Sequence, residues 1–531
     1  MALPTSVPSS TTASTGLPRR VAVVILGAAT VLLFALQVRQ HYFLGDDSYI
    51  SFRYARHLVN GQGLVWNPGE YVEGYTNFLW VLLMAAAMKV RLTPEWASNA
   101  LGIVSGAGVL VILWVLALRW STRRTLLALL PPFLLAASRT FTSWTTGGLE
   151  TMWFTFLVTA ALLVVIEESR RRVDVPIGSA TLLVLAALTR PEGILFAGVV
   201  GVWLAAEAAL DRRRVRPLVI WAVVVGVTIG THLLWRHAYY GAWVPNTFAA
   251  KVPAAWWDQG LKYAYDFTRA YGVPLFAPLV VWAQWRHPDR HRLLIAACVA
   301  TYVLYVIAVG GDHFEFRFWI PVLPLTYWLV ADAVERLRPS KWLAALAAAA
   351  LIGATVHGSW QSDRDQLPPW HGINSVANIK GYAAHRAREG RRLRQLIDAG
   401  LLDAQLLLGV TGAGAVPYYT DWPTVDRHGL NDRYIANLPV VERSVMGHEH
   451  DAPLEYLERR RVVINDAFNQ LVFWNAEDIP AAGDWLEPRP LYIADLGDAY
   501  LVFDSFVPEA EVRQAFARLP SLSVREPRTD K

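Results

Sequence analysis

Gly45-Asp46-Asp47-Ser48-Tyr49-Ile50-Ser51-Phe52-Arg53-Tyr54 follows closely on an apolar run, Val21–Leu36, and sets two adjacent carboxylates at its edge. Ionised groups beside hydrocarbon are costly, and packing offers no reason for a pair of them. The stretch therefore reads as the start of a functional loop on a membrane protein. Its spacing is helical: Ile50, Tyr54 and Leu58 share one face, and Gly61 and Gly63 end the run. A helix lying on the membrane surface is expected. The plain alternative makes Asp46 an N-cap and Asp47 a partner of the helix dipole. Capping needs one carboxylate, however, and here there are two. Asp46 and Asp47 are therefore the candidate catalytic pair, acting on a sugar hydroxyl as a general base or as ligands for a divalent cation.

The chain has 531 residues, 54% hydrophobic, 12% aromatic and 18% charged, the balance of a polytopic membrane protein. A net charge of +5 does not point to nucleic acid, because the basic residues cluster in short loops between apolar runs. Arg123-Arg124, Arg170–Arg172, Arg212–Arg214, Arg290 with Arg292, and Arg336 with Arg338 form the positive-inside pattern. The single cysteine, Cys298, lies in an apolar run and excludes a disulfide within the chain. Residues 1–20 open with a Ser/Thr-rich stretch that reads as a disordered cytoplasmic N-terminus ending in Arg19-Arg20. A cleaved signal peptide is the competing reading; the stretch before Gln37 shows no small-residue cleavage site, which favours an uncleaved first span.

The apolar runs Val21–Leu36, Ser98–Leu118, Leu126–Ala137, Met152–Ile166, Ile177–Leu188 and Ile194–Leu210 are candidate spans. Leu218–Trp235, Val273–Trp285, Leu293–Val309, Phe318–Val330 and Trp342–Val356 complete the set. With every arginine cluster inside, they give about eleven crossings through residues 21–357. Phe78–Met88 breaks that parity if it crosses, so it is expected to be half-immersed on the outer face. The inner loops then hold mostly arginine. The unusual polar segments all fall outside, where nucleotide sugars are absent and a lipid-borne donor is the natural one.

Those outer segments supply the remaining candidates. Arg53, Arg190, Lys251 and Arg317 are candidate contacts for a donor phosphate. Tyr49, Glu73, Tyr75, Asn77, Glu150, Glu192, Asn246, Asp312, His313 and His428 are candidates for recognising sugar or acceptor. Each has a bland reading as a cap, a loop residue or an interfacial anchor. His313 lacks the spacing and partners of a strong metal site. Gly412-Ala413-Gly414 resembles a phosphate loop faintly, without the GxGxxG spacing. The tail, residues 361–531, has soluble composition and is expected to be a small extracytoplasmic α/β domain. An amphipathic helix is expected at Arg386–Leu402, with strands at Leu406–Val410, Val462–Ile464 and Tyr500–Phe503.

Gly45–Ile50, Val72-Glu73-Gly74-Tyr75-Thr76-Asn77-Phe78-Leu79-Trp80, Leu188-Thr189-Arg190-Pro191-Glu192-Gly193 and Pro245-Asn246-Thr247-Phe248 together resemble one family. It is the actinobacterial terminal β(1→2)-arabinofuranosyltransferases, and the tail segment Ala415–Arg433 is similar to it as well. The resemblance implies a multi-span GT-C fold, decaprenyl-phosphate arabinose as donor, and arabinogalactan or lipoarabinomannan as acceptor at the plasma membrane. It also places Asp46 and Asp47 at the family's first-loop aspartates. A β-linked donor giving a β-linked product would be retention, which a single displacement with a general base does not produce. The alternatives are a related polyprenyl-phosphate transferase for another sugar, a lipid transporter, or a non-enzymatic membrane protein of the flagellar motor control type. A transporter would carry charges in mid-span and related interruptions in two halves; in this chain the charges stand at span ends.

Overall fold

The computed structural model describes residues 16–121, 126–251, 254–362, 373–440, 443, 448–466, 468–480 and 489–526. The Ser/Thr-rich opening stretch and Arg123-Arg124 lie outside them.

Each apolar run named above is helical. Among the described residues, seven helices are long and apolar enough to cross a membrane, from Val21–Gln40 to Lys341–Trp360. Three shorter apolar helices, Phe78–Lys89, Leu127–Ala137 and Ile177–Thr189, accompany them. Two further runs begin as one 3-10 turn and continue as helices, Ala277–Arg286 and Leu323–Leu337. These helices join two chemically different ends of a bundle.

At one end the arginines meet carboxylates. Arg292 binds Asp332 at 2.7 Å, Arg290 binds Glu207 at 2.8 Å, and Ser121 donates to Glu335 at 2.8 Å. The sequence suggests little but arginine there; Glu207, inside the apolar run Ile194–Leu210, and Asp332 and Glu335, just beyond Phe318–Val330, meet it with carboxylates. At the other end lie all the loops expected to carry chemistry.

Phe78–Lys89 begins and ends at that second end. Asn77, just before it, donates to Glu150 at 2.7 Å, and Glu95, just after it, accepts from Tyr419 of the tail at 3.3 Å. Twelve residues rise about 18 Å, too little to cross. The half-immersed expectation accounts for its place.

Helix Pro94–Arg119 presents Gly102 and Gly106 to the Thr145 loop. A Cβ at Gly102 would lie 2.2 Å from the Thr145 carbonyl oxygen, and one at Gly106 2.7 Å from its methyl. Small residues one turn apart let the two backbones touch. The loop then turns through Gly147 and Gly148, at φ +84° and +77°, conformations that suit glycine. The Gly45 N–H donates to the Gly147 carbonyl and the Gly147 N–H to the Phe43 carbonyl, both at 2.9 Å. The surface helix Asp46–Val59 is thereby pinned beside Glu150.

The tail is an α/β unit. Helix Val376–Asp398 packs on a mixed sheet whose strands are β1 Leu408–Val410, β2 Thr424–Asp426, β3 Ile464–Asn465, β4 Val472–Phe473, β5 Leu491–Asp495, β6 Tyr500–Asp504 and β7 Ser521–Arg525. Their order is β2-β1-β3-β6-β5-β7, with β4 also on β6. β1 runs parallel to β2 and β3, and the other pairs are antiparallel. The expected strands appear as β1, β3 and β6; β2, β4, β5 and β7 are additional. The expected helix starts ten residues earlier than its amphipathic stretch, where Ser375 caps it by accepting from the Asn378 N–H.

Candidate active site

Two chambers meet at Asp47. The first, about 470 Å³, lies among the loops at the second end of the bundle and is lined by Asp47, Tyr75, Asn77, Glu150, Arg190, Glu192, Arg236, Lys251, Asp312, His313 and Arg317. Its rim is apolar and exposed: Ile194, Trp243, Val244 and Phe248 stand open around it. The second, about 280 Å³, lies between the surface helix and the tail. Asp46, Tyr382, Asn378, Thr411, His428, His448 and Asn469 line it. Asp47, Ile50, Lys251, His313 and Leu430 belong to both.

The first chamber is a lattice of ion pairs. Arg190 sits between Glu150 and Glu192, 2.9 Å from each. Arg317 holds Asp312 at 2.6 Å, and Arg236 holds Glu73 at 2.7 Å. Lys251 is the loosest of these cations, 4.0 Å from Asp47 and 29% exposed. An anion entering the chamber meets three arginines already matched to carboxylates and one ammonium weakly engaged. Lys251 is therefore the cation with most to gain from a phosphate.

The adjacent acids have different surroundings. The Asp46 carboxylate accepts the backbone N–H of Ala415 at 2.9 Å and of Gly414 at 3.1 Å, the start of helix Ala415–Thr420 in the tail. It caps a helix some 370 residues away. Burial pushes its carboxyl up to about 6, against the pull of the Ala415 amide and Arg386. For Asp47, burial also raises the carboxyl, but the cations around it, Lys251 first and then Arg317, outweigh it and hold the group below the ordinary carboxylate value. Asp47 thus stays ionised while facing both chambers. Burial, with Lys251 next, takes His313 down to about 3, so its ring is neutral beside Asp312, 3.4 Å away.

Several sequence candidates lie elsewhere. Arg53 does not reach the chamber. It is fully buried and donates to the carbonyls of Trp66, Pro417 and Trp422 at 2.7–2.8 Å and to Asn67 at 3.3 Å. Four of its five N–H donors tie helix Asp46–Val59 to the Trp66-Asn67 turn and to the tail, away from the chamber. Tyr49 packs on Tyr418 and Tyr419 rather than a sugar. Asn246 donates to the Gly429 and Leu430 carbonyls, a docking contact. Glu73 lies behind the wall, orienting Arg236; burial carries its carboxyl up to about 7 despite the arginine. The Gly412–Gly414 loop offers its last amide, that of Gly414, to Asp46. His428 lines the second chamber, its ring against the His450 carbonyl at 2.8 Å.

The acids do not suit a shared cation. Both Asp46 oxygens are engaged by amides and Asp47 faces an ammonium, so no donor set converges between them. Among the described residues, no group of three or more His, Cys, Asp or Glu is arranged to hold a metal ion. Sequence reasoning passed over Arg236, although it stands at the end of the apolar run Leu218–Trp235 opposite the Arg212–Arg214 cluster. It also passed over Tyr382, Thr411 and Asn469, whose types carry no signal without the fold.

The arrangement of bundle, loops and tail matches solved structures of low sequence identity. ArnT from Cupriavidus metallidurans, bound to undecaprenyl phosphate, aligns with TM-score 0.54 at 14% identity, over 94% of this chain and 99% of that one. Its apo state aligns with TM-score 0.56 at 13% identity, over 95% and 100%. The chain thus shares the fold of these structures, a polytopic helical bundle carrying a C-terminal α/β domain. In sequence, the chain is 29% identical over 354 residues to a terminal beta-(1->2)-arabinofuranosyltransferase of Corynebacterium glutamicum, over 56% of this chain and 49% of the relative. It is 29% identical over 276 residues to the protein of the same name from Mycobacterium tuberculosis, over 49% and 43%. The chain spans about half the length of these curated relatives. Residues 379–507, in the tail, match a family described as a domain of unknown function, DUF8728.

Proposed function

We propose that the protein is an extracytoplasmic-facing glycosyltransferase of the plasma membrane that moves arabinofuranose from decaprenyl-phosphate arabinose to cell-wall arabinan, in arabinogalactan or lipoarabinomannan. The observation that carries the reading is the position of Asp47 and Lys251 where an apolar-rimmed, cationic chamber opens into a polar one. An isoprenoid chain suits the exposed rim of Ile194, Trp243, Val244 and Phe248. The donor phosphodiester suits Lys251, with Arg190, Arg236 and Arg317 behind it. The undecaprenyl phosphate bound by ArnT supports a lipid of this class. The names of the two sequence relatives support the sugar.

The chemistry follows from the charges. The bond from the sugar's anomeric carbon to the phosphate oxygen breaks, and its electron pair leaves with the phosphate. Lys251 stabilises that departing charge, and Asp47 the cationic character growing on the sugar. The acceptor hydroxyl then bonds to the anomeric carbon from the side the phosphate is leaving, which retains configuration. Its proton passes to the departing phosphate. A phosphate monoester, with a second pKa of about 6, is a better base than a carboxylate held below its ordinary value. Asp47 is thus an electrostatic partner of the transition state.

The test is transfer by the full chain in nanodiscs, supplied with a polyprenyl-phosphoryl arabinofuranose and a short arabinofuranose oligosaccharide, with products read by mass spectrometry. One added pentose on the acceptor is expected. Polyprenyl-phosphoryl mannose, run in parallel, should give little product. Failure to bind the arabinose donor or extend the acceptor would sink the reading.

A further inference from the structure

The second chamber carries an inference that rests on the transferase reading and deepens it. Away from Asp47 its polar lining is dominated by neutral groups: the amides of Asn378 and Asn469 and the hydroxyls of Tyr382 and Thr411. Such donors and acceptors match the hydroxyls of a glycan better than a phosphate. Asn469 is the most constrained of them. Its Oδ1 accepts from the Tyr382 hydroxyl at 2.7 Å and from the Thr411 hydroxyl at 2.8 Å. With that oxygen engaged twice, the amide is locked and its NH2 is the half left for the chamber; among the described residues, Nδ2 has no hydrogen-bond partner.

The backbone supports this lock. Asn469 has φ +55°, a left-handed conformation that asparagine tolerates and most side chains do not. Gly412 lies under the tyrosine, where a Cβ would stand 2.3 Å from the Tyr382 hydroxyl. A glycine at 412 and an asparagine at 469 are what allow Tyr382 to reach across.

We propose that this chamber is the acceptor-glycan subsite and that Asn469, aligned by Tyr382 and Thr411, donates its side-chain NH2 to a hydroxyl of the acceptor sugar. Asp47 at the shared wall then faces the glycan from one side and the donor from the other. Tyr382 and Thr411 act through Asn469 and are positioning residues. The proposal assigns glycan recognition to the segment that matches the domain of unknown function.

The test is Asn469→Asp in the full chain in nanodiscs. Aspartate keeps the oxygen that Tyr382 and Thr411 need, tolerates the same backbone, and replaces the donating NH2 by an accepting oxygen. Acceptor KM for the arabinofuranose oligosaccharide should rise roughly tenfold, the scale of one polar contact left unmade. Donor KM should shift far less. Thr411→Val should move acceptor KM in the same direction by a smaller factor, and near-equal Tm values would show that the variants fold. An unchanged acceptor KM in Asn469→Asp overturns the assignment while leaving the transferase reading intact. A parallel rise in donor and acceptor KM overturns it too, as a general disturbance. A wild-type chain that binds polyprenyl-phosphoryl arabinofuranose but ignores the oligosaccharide overturns the glycan subsite alone. One that binds neither overturns both.

Discussion

Asp47 faces Lys251 across 4.0 Å at the wall shared by the two chambers, whereas its neighbour Asp46 has both oxygens committed to backbone amides of the tail. A one-residue step along the surface helix thus separates a carboxylate available to substrate from one that joins two parts of the protein.

Asp47→Asn keeps the size of the side chain and removes its charge. Turnover should fall by about a thousandfold, as when a transition-state contact is lost, with little change in Tm. Initial rates and a thermal melt on the same preparation check this. Chelation by EDTA should leave the wild-type rate unchanged, because the two acids do not converge on a cation.

Asp46→Ala and Gly414→Ala should both loosen the tail. The first removes the cap of helix Ala415–Thr420, worth about 1–2 kcal/mol. The second adds a methyl 2.1 Å from the Asp46 carbonyl oxygen. Faster proteolytic release of the tail at unchanged lipid-donor binding is the expected result.

Lys251→Ala should raise donor KM by about tenfold or more, the scale of one charge-assisted hydrogen bond. Arginine at 251 should restore most of that loss. Titration with a non-transferable polyprenyl phosphate measures it directly.

Arg53→Lys separates two accounts of one residue. A phosphate contact would survive the change, since the charge remains. A fork bound to the carbonyls of Trp66, Pro417 and Trp422 would not, because one ammonium cannot span them. The expected outcome is a loss of stability of about 3 kcal/mol or more, with donor KM nearly unchanged.

Acidity should act on stability through Asp46. Its folded value of about 6 lies above the ordinary 3.8, so the folded state holds the proton more tightly. Such a group adds stability that is complete below the unfolded value and lost as pH rises through the folded one. Compared with Asp46→Asn, wild-type Tm should therefore decline between about pH 4 and pH 6 and run level above. Melting both proteins across that window tests the sign.

The membrane part was legible because lipid leaves the backbone few choices: apolar runs of sufficient length must be helices, and arginines mark their ends. That Phe78–Lys89 is a short apolar helix with both flanks at the loop end of the bundle was suggested in the same way, by parity. The chamber was legible in part. Arg190, Lys251, Asp312 and Arg317 sit in short loops between spans, and the bundle brings those loops to one end. Tyr49, Arg53 and Asn246 carry the same kind of polarity, but their partners lie in the tail, 180 to 370 residues away. Nothing local distinguishes a side chain that docks a domain from one that meets a substrate. β2 and β4, of three and two residues, are too short to show a period, and β5 is buried along most of its length, so it shows no alternation.

Some 370 residues separate Asp46 from its partner amides at 414 and 415, and every apolar run but the first lies between them, so this cap can close only after those helices have been made.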